Sequence, residues 1–198
     1  GNDYIYINAM EEEVRNPEML AVAMSERHFG IGADGLVLIL DSDVADFRMR
    51  MFNLDGSEGE MCGNAVRCIA KYVYERGLTD KEEITLETLG GIKVLRLHIQ
   101  NGVVIAVTAD MGEPILAADK IPVRSEKEPV IGEKLHILDQ DFAFTCVSMG
   151  NPHAVTFVEQ VAQFPVEKYG SLAEIHPIFP KKANIEFAQV IDRTHLSM

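Results

Sequence analysis

The sequence is poor in basic residues, with 18 lysines and arginines against 31 aspartates and glutamates, a net charge of −13 in 198 residues. Nucleic acids and anionic membranes bind basic surfaces, so this balance argues against either as the main partner. It leaves a local site for a small-molecule substrate open. The 47% hydrophobic and 25% charged residues are ordinary for a globular protein, and the length suits one large domain or two small ones.

Cysteine is scarce as well. Three cysteines without dense spacing do not make a disulfide framework, so we expect a reducing, cytoplasmic compartment. No apolar run approaches a membrane span, and we expect no secretory signal. The chain starts Gly1-Asn2-Asp3-Tyr4 without a methionine, and we expect it to be part of a longer protein.

Short apolar or alternating segments predict more strands than helices. The predicted strands are 3–8, 36–40, 47–52, 84–89, 92–99, 103–110, 142–149, 154–158 and 185–191. Asn101-Gly102 between two of them is a strong hairpin signal, and residues 119–134 are predicted to form a loop. Because the strands look like antiparallel hairpins, we predict the α+β class.

Three helices are predicted between the strands. Asn16-Pro17 starts the first, which runs to about Arg27 and presents an apolar face of Met19, Leu20, Ala23 and Met24. The second follows Cys62 and ends at Arg76-Gly77. Its apolar stripe, at three- and four-residue spacing, consists of Ala65, Val66, Ile69, Ala70 and Val73. A short third helix covers 166–175.

We predict two domains, residues 1–110 with the first cysteine motif and residues 111–198, the latter incomplete. A faint internal echo supports two related halves facing one site. Gly1-Asn2-Asp3 precedes Asn53 in the first half, and Gly150-Asn151-Pro152 precedes Asn184 in the second.

The segment from Asn53 to Arg67 carries the most information about function. An Asn-, Asp- and Gly-rich turn brings Cys62 to the predicted start of a helix. Unpaired backbone N–H groups and the positive end of the helix dipole favour a thiolate there and bind a carboxylate. Free cysteine is more often a buried core residue, but this setting favours an acid or base.

The chain resembles diaminopimelate epimerase, a family that works without pyridoxal phosphate. The segment around Cys62 is close to diagnostic for it. Weaker motifs occur in the family's order along the whole chain: Gly1-Asn2-Asp3, Gly30 to Gly35, Gly150 to His153 and Asn184-Ile185-Glu186-Phe187. The resemblance implies two pseudo-symmetric domains of mixed or antiparallel sheet wrapped on a central helix. It places the active site in the cleft between them and implies a homodimer.

The resemblance also implies a two-cysteine mechanism that interconverts LL- and meso-diaminopimelate without a cofactor. One cysteine, as thiolate, removes the α-proton, and another returns a proton to the opposite face. Cys62 matches the first. The second is expected in a Cys-Gly-Thr or Cys-Gly-Ser motif, and neither Cys68 nor Cys146 lies in one. We therefore expect it beyond Met198.

Further site residues follow from the same resemblance. His153 matches the family histidine that tunes the second cysteine, although a lone strand histidine is more often structural. The residues expected to bind substrate are Asn2, Asn53, Gly63, Asn64, Asn151 and Asn184. Backbone N–H groups of Gly63 and Asn64 would hold the α-carboxylate. Amides both donate to and accept from a zwitterion, although a single Asn is more often a turn residue.

The remaining candidates are expected to be structural. Arg67 is predicted to pair with Asp55, Glu58 or Glu60, while Cys68 and Cys146 are predicted to lie in the core. No histidine has metal-ligand spacing, so no metal is predicted. The glycines from Gly30 to Gly35 precede a strand instead of opening a helix, which excludes a dinucleotide fingerprint.

Two alternatives stay open at this point. One is a related proline racemase or hydroxyproline epimerase, although the Asn-x-Asp-Gly-Ser lead-in before Cys62 favours diaminopimelate. The other is a truncated, non-catalytic form that binds the ligand but lacks the second thiol.

Overall fold

A computed structural model describes residues 2–198. These residues form two compact units, unit 1 ending at Met111 and unit 2 beginning at Gly112. Gly1, the first residue of the Gly1-Asn2-Asp3 motif, lies outside the described residues. Both units combine a sheet with helices, which confirms the α+β class.

Unit 1 is built on a seven-stranded mixed sheet. Its strands are β1 (Tyr4–Asn8), β2 (Gly35–Leu40), β3 (Phe47–Asn53), β4 (Glu58–Gly59), β5 (Glu83–Thr88), β6 (Gly91–Gln100) and β7 (Val103–Ala109). Their order is β1-β2-β3-β5-β6-β7, with β4 paired to β3. β1 and β2 are parallel, as are β3 and β5, and the other pairs are antiparallel.

Helices cover both faces of the strands at the centre of this sheet. On β2, Leu36 and Leu38 pack in one buried cluster with Ala21 of α1 (Pro17–Ser25). Val37 and Ile39 point the other way and pack in a second cluster with α2 (Gly63–Glu75). Strand side chains alternate between faces, so a strand with helices on both sides is apolar throughout, as β2 is.

The two helices match their predictions unequally. α2 buries the predicted stripe in full: Ala65, Val66, Ile69, Ala70 and Val73. α1 ends at Ser25, and its predicted apolar face is wrong in part. The residues that it buries fully are Pro17, Ala21 and Ser25, whereas the predicted Leu20 packs partly buried against the cluster of Ala21. Met19 is 74% exposed. Small side chains spaced four residues apart let this helix lie close to the sheet.

Unit 2 is built on a five-stranded sheet. Its strands are β8 (Glu133–Ile137), β9 (Gln140–Ser148), β10 (Pro152–Phe157), β11 (Asn184–Val190) and β12 (Leu196–Ser197). They lie in the order β12-β11-β10-β9-β8, with only β10 and β11 parallel among the named pairs. β8 begins in the segment predicted to be a loop. One face carries an aromatic-rich core with α3 (Val166–Glu174), and a 3-10 turn, Val161–Gln163, precedes that helix.

The internal echo corresponds to a repeated strand–helix–strand frame. In unit 1, β1 passes through α1 into parallel β2, and in unit 2, β10 passes through α3 into parallel β11. Asn151 directly precedes β10, and Asn2 lies two residues before Tyr4, the first residue of β1. The later asparagines of the echo occupy different places, because Asn53 ends β3 whereas Asn184 begins β11.

Candidate active site

Cys62 is the N-cap residue of α2. Its backbone is extended (φ −137°, ψ 117°), and its carbonyl accepts the first helical bond from the Val66 N–H at 3.1 Å. Its side chain makes no capping hydrogen bond and is partly exposed. The first N–H groups of an α-helix have no partner within the helix. The thiol therefore lies at the positive end of α2, with the N–H groups of Gly63 and Asn64 next to it in the chain.

A closed turn leads from β3 towards this helix. The Asn53 side chain donates to the Ser57 hydroxyl at 3.0 Å, and the Ser57 N–H donates to the Asp55 carboxylate at 3.0 Å. Gly56 has a φ of +83°, which side-chain-bearing residues rarely adopt. The Asn53 oxygen is not used by this bond, so the residue can hold the turn and still accept a further hydrogen bond.

Arg67 stands one turn into α2 and donates to the Asn64 side-chain oxygen. Glu58, one of its predicted ion-pair partners, pairs with Arg50 at 2.7 Å instead. The prediction for that pair is wrong because β3 and β4 place Arg50 beside Glu58. Arg67 thus fixes the Asn64 amide beside the helix start.

Tyr4 and Tyr6 of β1 face the thiols of α2. Burial raises the pKa of Tyr4, and the neighbouring Cys62 raises it further through charge and hydrogen bonding. Burial and then Cys68 do the same for the pKa of Tyr6. Both phenols therefore keep their protons at neutral pH and can donate to a thiolate. No pattern in the sequence predicts this pairing of phenols with thiols.

The two other cysteines differ from each other. Cys146 is buried, as predicted, and burial, followed by the charge of Glu133, raises the pKa of its thiol to about 11. Cys68 is exposed, so its predicted core position is wrong. It lies beside the buried stripe of α2 and not within it.

Asn2 belongs to an exposed polar network at the start of β1. Its amide donates to Asp34 at 3.1 Å, and Arg27 binds both Asp3 and Asp34 at about 3 Å. The hydrogen bond from Arg27 is the main cause that lowers the pKa of Asp3. The Asp34 carbonyl accepts from Leu54 N–H at 3.0 Å. The start of β1 is thereby joined to the turn that contains Asn53.

In unit 2 the predicted residues Asn151, His153 and Asn184 lie together. His153 Nδ1 is 2.6 Å from Glu186 Oε1, and its Nε2 is 2.9 Å from Asn151 Oδ1. Asn184 pairs with His153 across the parallel strands, and its amide donates to the Pro152 carbonyl at 2.9 Å. Glu186 was not among the predicted site residues. The feature of the sequence that could have indicated it is a carboxylate within the largely apolar run Ile185–Ile191.

Among residues 2–198, no group of three or more His, Cys, Asp or Glu side chains is arranged to hold a metal ion. Within the same residues, no helix is long and apolar enough to cross a membrane.

Comparison with known proteins agrees with the family that the motif around Cys62 indicates. A family model described as diaminopimelate epimerase matches residues 1–117. Over 198 residues the chain is 60% identical to a protein from Methanococcus maripaludis that is named diaminopimelate epimerase, and it spans 72% of that protein. A protein of the same name from Acetivibrio thermocellus is 59% identical, and the chain spans 71% of it. The chain belongs to the diaminopimelate epimerase family.

Membership of the diaminopimelate epimerase family confirms the resemblance and the enzyme class, an isomerase. Because relatives at about 60% identity bear the name diaminopimelate epimerase, the alternative of a proline racemase is set aside. A solved structure of a PhzF-family phenazine biosynthesis protein from Bacillus anthracis has a TM-score of 0.57 at 20% identity, covering 99% of this chain and 64% of that one. At this identity the likeness shows the fold alone.

Proposed function

We propose that the protein interconverts LL- and meso-diaminopimelate, in the synthesis of lysine and of peptidoglycan precursors, by a two-thiol mechanism. Cys62 is one of the two thiols. The observation that carries this assignment is its place as N-cap of α2, partly exposed and without a side-chain capping bond. Family membership supplies the substrate, because relatives at about 60% identity bear the name diaminopimelate epimerase.

The chemistry needs a base, an acid and stabilisation of negative charge, since the α-proton of an amino acid is a weak acid. Negative charge grows on the α-carboxylate as the proton leaves. N–H groups of Gly63 and Asn64 at the start of α2 are placed to hydrogen-bond that carboxylate. Because this interaction strengthens as charge develops, it lowers the barrier and does more than bind substrate. Tyr4, as a protonated donor, supports the Cys62 thiolate.

The asparagines are proposed to recognise the amino acid groups of the substrate. Asn2 and Asn53 of unit 1 and Asn151 and Asn184 of unit 2 carry amides that both donate and accept. His153 is proposed to exchange a proton with the second thiol. The 198 residues contain no Cys-Gly-Thr or Cys-Gly-Ser motif, so tests of activity need the full-length protein.

Deuterium uptake at the substrate α-carbon tests the mechanism. In D₂O, full-length protein with Cys62→Ser is expected to lose about 10³-fold in exchange from either stereoisomer, the range found for removal of a general acid or base. Cys68→Ser is the matched control, because Cys68 is an exposed thiol on the same helix. Loss of exchange in both variants, or in neither, would contradict the role of Cys62.

The same assay separates the alternatives. Exchange from proline or hydroxyproline without exchange from diaminopimelate would overturn the substrate assignment. Binding of diaminopimelate without any exchange would favour a non-catalytic ligand-binding protein.

A homodimer and a cytoplasmic location are proposed on the family resemblance and on the scarcity of cysteine. Light scattering of the full-length protein tests the first, and cell fractionation tests the second. A monomeric mass would overturn the proposed dimer.

A further inference from the structure

Each ring nitrogen of His153 lies within hydrogen-bond distance of a side-chain oxygen. Glu186 Oε1 lies 2.6 Å from Nδ1, and Asn151 Oδ1 lies 2.9 Å from Nε2. The His153 side chain is 28% exposed and that of Glu186 is 18% exposed. By contrast, His136 and Asp141, a His–carboxylate pair on β8 and β9, are 66% and 82% exposed. The pair at His153 is therefore screened far less by water.

Glu186 depends on His153 for a hydrogen-bond donor. Its second oxygen, Oε2, is buried and has no hydrogen-bond partner within the part of the chain that the structure describes. A carboxylate accepts hydrogen bonds and does not donate when ionised, and burial without donors is costly. The 2.6 Å contact with Nδ1 is within the range of a charge-assisted bond. This arrangement is satisfied only when Nδ1 carries a hydrogen.

Fixing the hydrogen on Nδ1 leaves Nε2 as the nitrogen that gains and loses a proton. The partner of Nε2 accommodates both states. The Asn151 amide accepts from a protonated Nε2 through its oxygen, and after a half-turn it donates to a bare Nε2 through its NH₂ group. No comparable exchange is open to Glu186, which can only accept.

We propose that Glu186 is a positioning residue that holds the His153 proton on Nδ1 and so makes Nε2 the nitrogen that exchanges protons in the reaction. The catalytic consequence rests on the proposed function of His153. The assignment of the tautomer is independent of that function, since it follows from the contacts of Glu186 and His153 alone. Two measurements therefore separate the two claims.

The first measurement is the tautomer of neutral His153, read from imidazole ¹⁵N shifts in the full-length protein at mildly alkaline pH. The wild-type protein is expected to carry the hydrogen on Nδ1. Glu186→Gln keeps an accepting oxygen and is expected to retain this tautomer, whereas Glu186→Ala is expected to lose the preference. A hydrogen on Nε2 in the wild type, or an unchanged Nδ1 preference in Glu186→Ala, would overturn the proposal.

The second measurement is the rate of α-proton exchange. Glu186→Ala is expected to lower kcat by about 10- to 100-fold, the usual loss when a group that orients a functional histidine is removed. KM is expected to change less than about twofold, and Glu186→Gln is expected to recover part of kcat. An equal loss in both variants would show that the carboxylate charge acts instead of its geometry and would overturn the positioning role.

The matched control is Asp141→Asn. It removes the carboxylate from the contact of His136 with Asp141, whose Nδ1–Oδ1 distance is 2.7 Å, and is expected to leave the His153 tautomer and kcat unchanged. If wild-type protein shows the Nδ1 tautomer while Cys62→Ser retains full exchange, the proposed mechanism fails and the assignment of the tautomer stands.

Discussion

Units 1 and 2 contain the same strand–helix–strand frame but provide different chemistry. In unit 1, helices cover both faces of β2, and Cys62, the proposed catalytic thiol, is the N-cap of one of those helices. In unit 2, α3 covers the face that carries Phe144, while His153 and Glu186 lie on the alternate positions of β10 and β11. The proposed chemistry thus relies on backbone N–H groups and a helix dipole in unit 1, and on a side-chain pair in unit 2.

This difference has a physical reason. A helix start attracts negative charge without any charged side chain, so it suits a thiolate and a carboxylate. A sheet has little net dipole, so its strands provide no comparable field at His153. In the proposed role, Glu186 at 2.6 Å holds the imidazole hydrogen on Nδ1 instead.

The largest expected effect tests whether the one-sided core of unit 2 is essential. Phe144 is fully buried, with rings of Phe142 and Phe179 about 6 Å away. Phe144→Ala is expected to lower the free energy of unfolding by about 3–5 kcal/mol, because it leaves a cavity. Urea unfolding measures this. Phe157→Ala on β10 is the control, since Phe157 is exposed, and should change stability by less than about 0.5 kcal/mol.

The second effect compares the thiols of the two units by alkylation at pH 8. With a pKa of about 11, Cys146 is ionised roughly 90 times less at pH 8 than a thiol with the ordinary pKa of 9.0, and burial slows the reagent further. Mass spectrometry of native protein should find Cys62 and exposed Cys68 modified before Cys146. Rapid modification of Cys146 would contradict its burial.

The raised pKa of Cys146 also determines how the stability of the folded protein changes with pH. The folded state keeps the proton to a higher pH than the unfolded state, whose thiol titrates near 9.0. The contribution is fully present below pH 9 and is lost as pH rises towards 11. Replacing Cys146 with alanine should therefore flatten the fall in stability over this range.

A third and smaller effect concerns the phenols that face α2. Tyr4→Phe removes a donor beside Cys62 and is expected to slow its alkylation about fivefold, since hydrogen bonds to charged groups contribute about 1–3 kcal/mol and this site is partly exposed. Tyr6→Phe is the matched control, because Tyr6 interacts mainly with Cys68. Equal slowing of Cys62 in both variants would show that the effect is not local.

The sequence predicted the parts of the fold that depend on hydrophobic patterning and turn residues better than the parts that depend on close packing of small side chains. α2 buries its predicted stripe because those residues are apolar as well as correctly spaced. Asn101 and Gly102 form the predicted hairpin turn with φ angles of 53° and 77°. The face of α1 was predicted only in part, because this helix packs mainly through small residues such as Ala21 and Ser25.

Within the candidate site, the sequence identified single residues better than pairs. Cys62, Asn151 and His153 belong to local motifs. Glu186, which contacts His153, is 33 positions away in the sequence, and the parallel pairing of β10 with β11 brings the two together. The exposure of Cys68 was also missed, since apolar neighbours in sequence lie on another side of a helix.

The smallest expected effect sharpens the contrast between the half-buried pair of His153 with Glu186 and the exposed pair of His136 with Asp141. The hydrogen bond to Asp141 raises the pKa of His136. This stability contribution is therefore present below the unfolded value near 6.5 and is lost as pH rises through the folded value. Asp141→Asn should lower the urea midpoint slightly at pH 5.5 and leave it unchanged at pH 8. A larger loss of stability at pH 8 than at pH 5.5 would contradict the raised pKa of His136. The pair of His136 and Asp141 could then not serve as the exposed reference for His153 and Glu186.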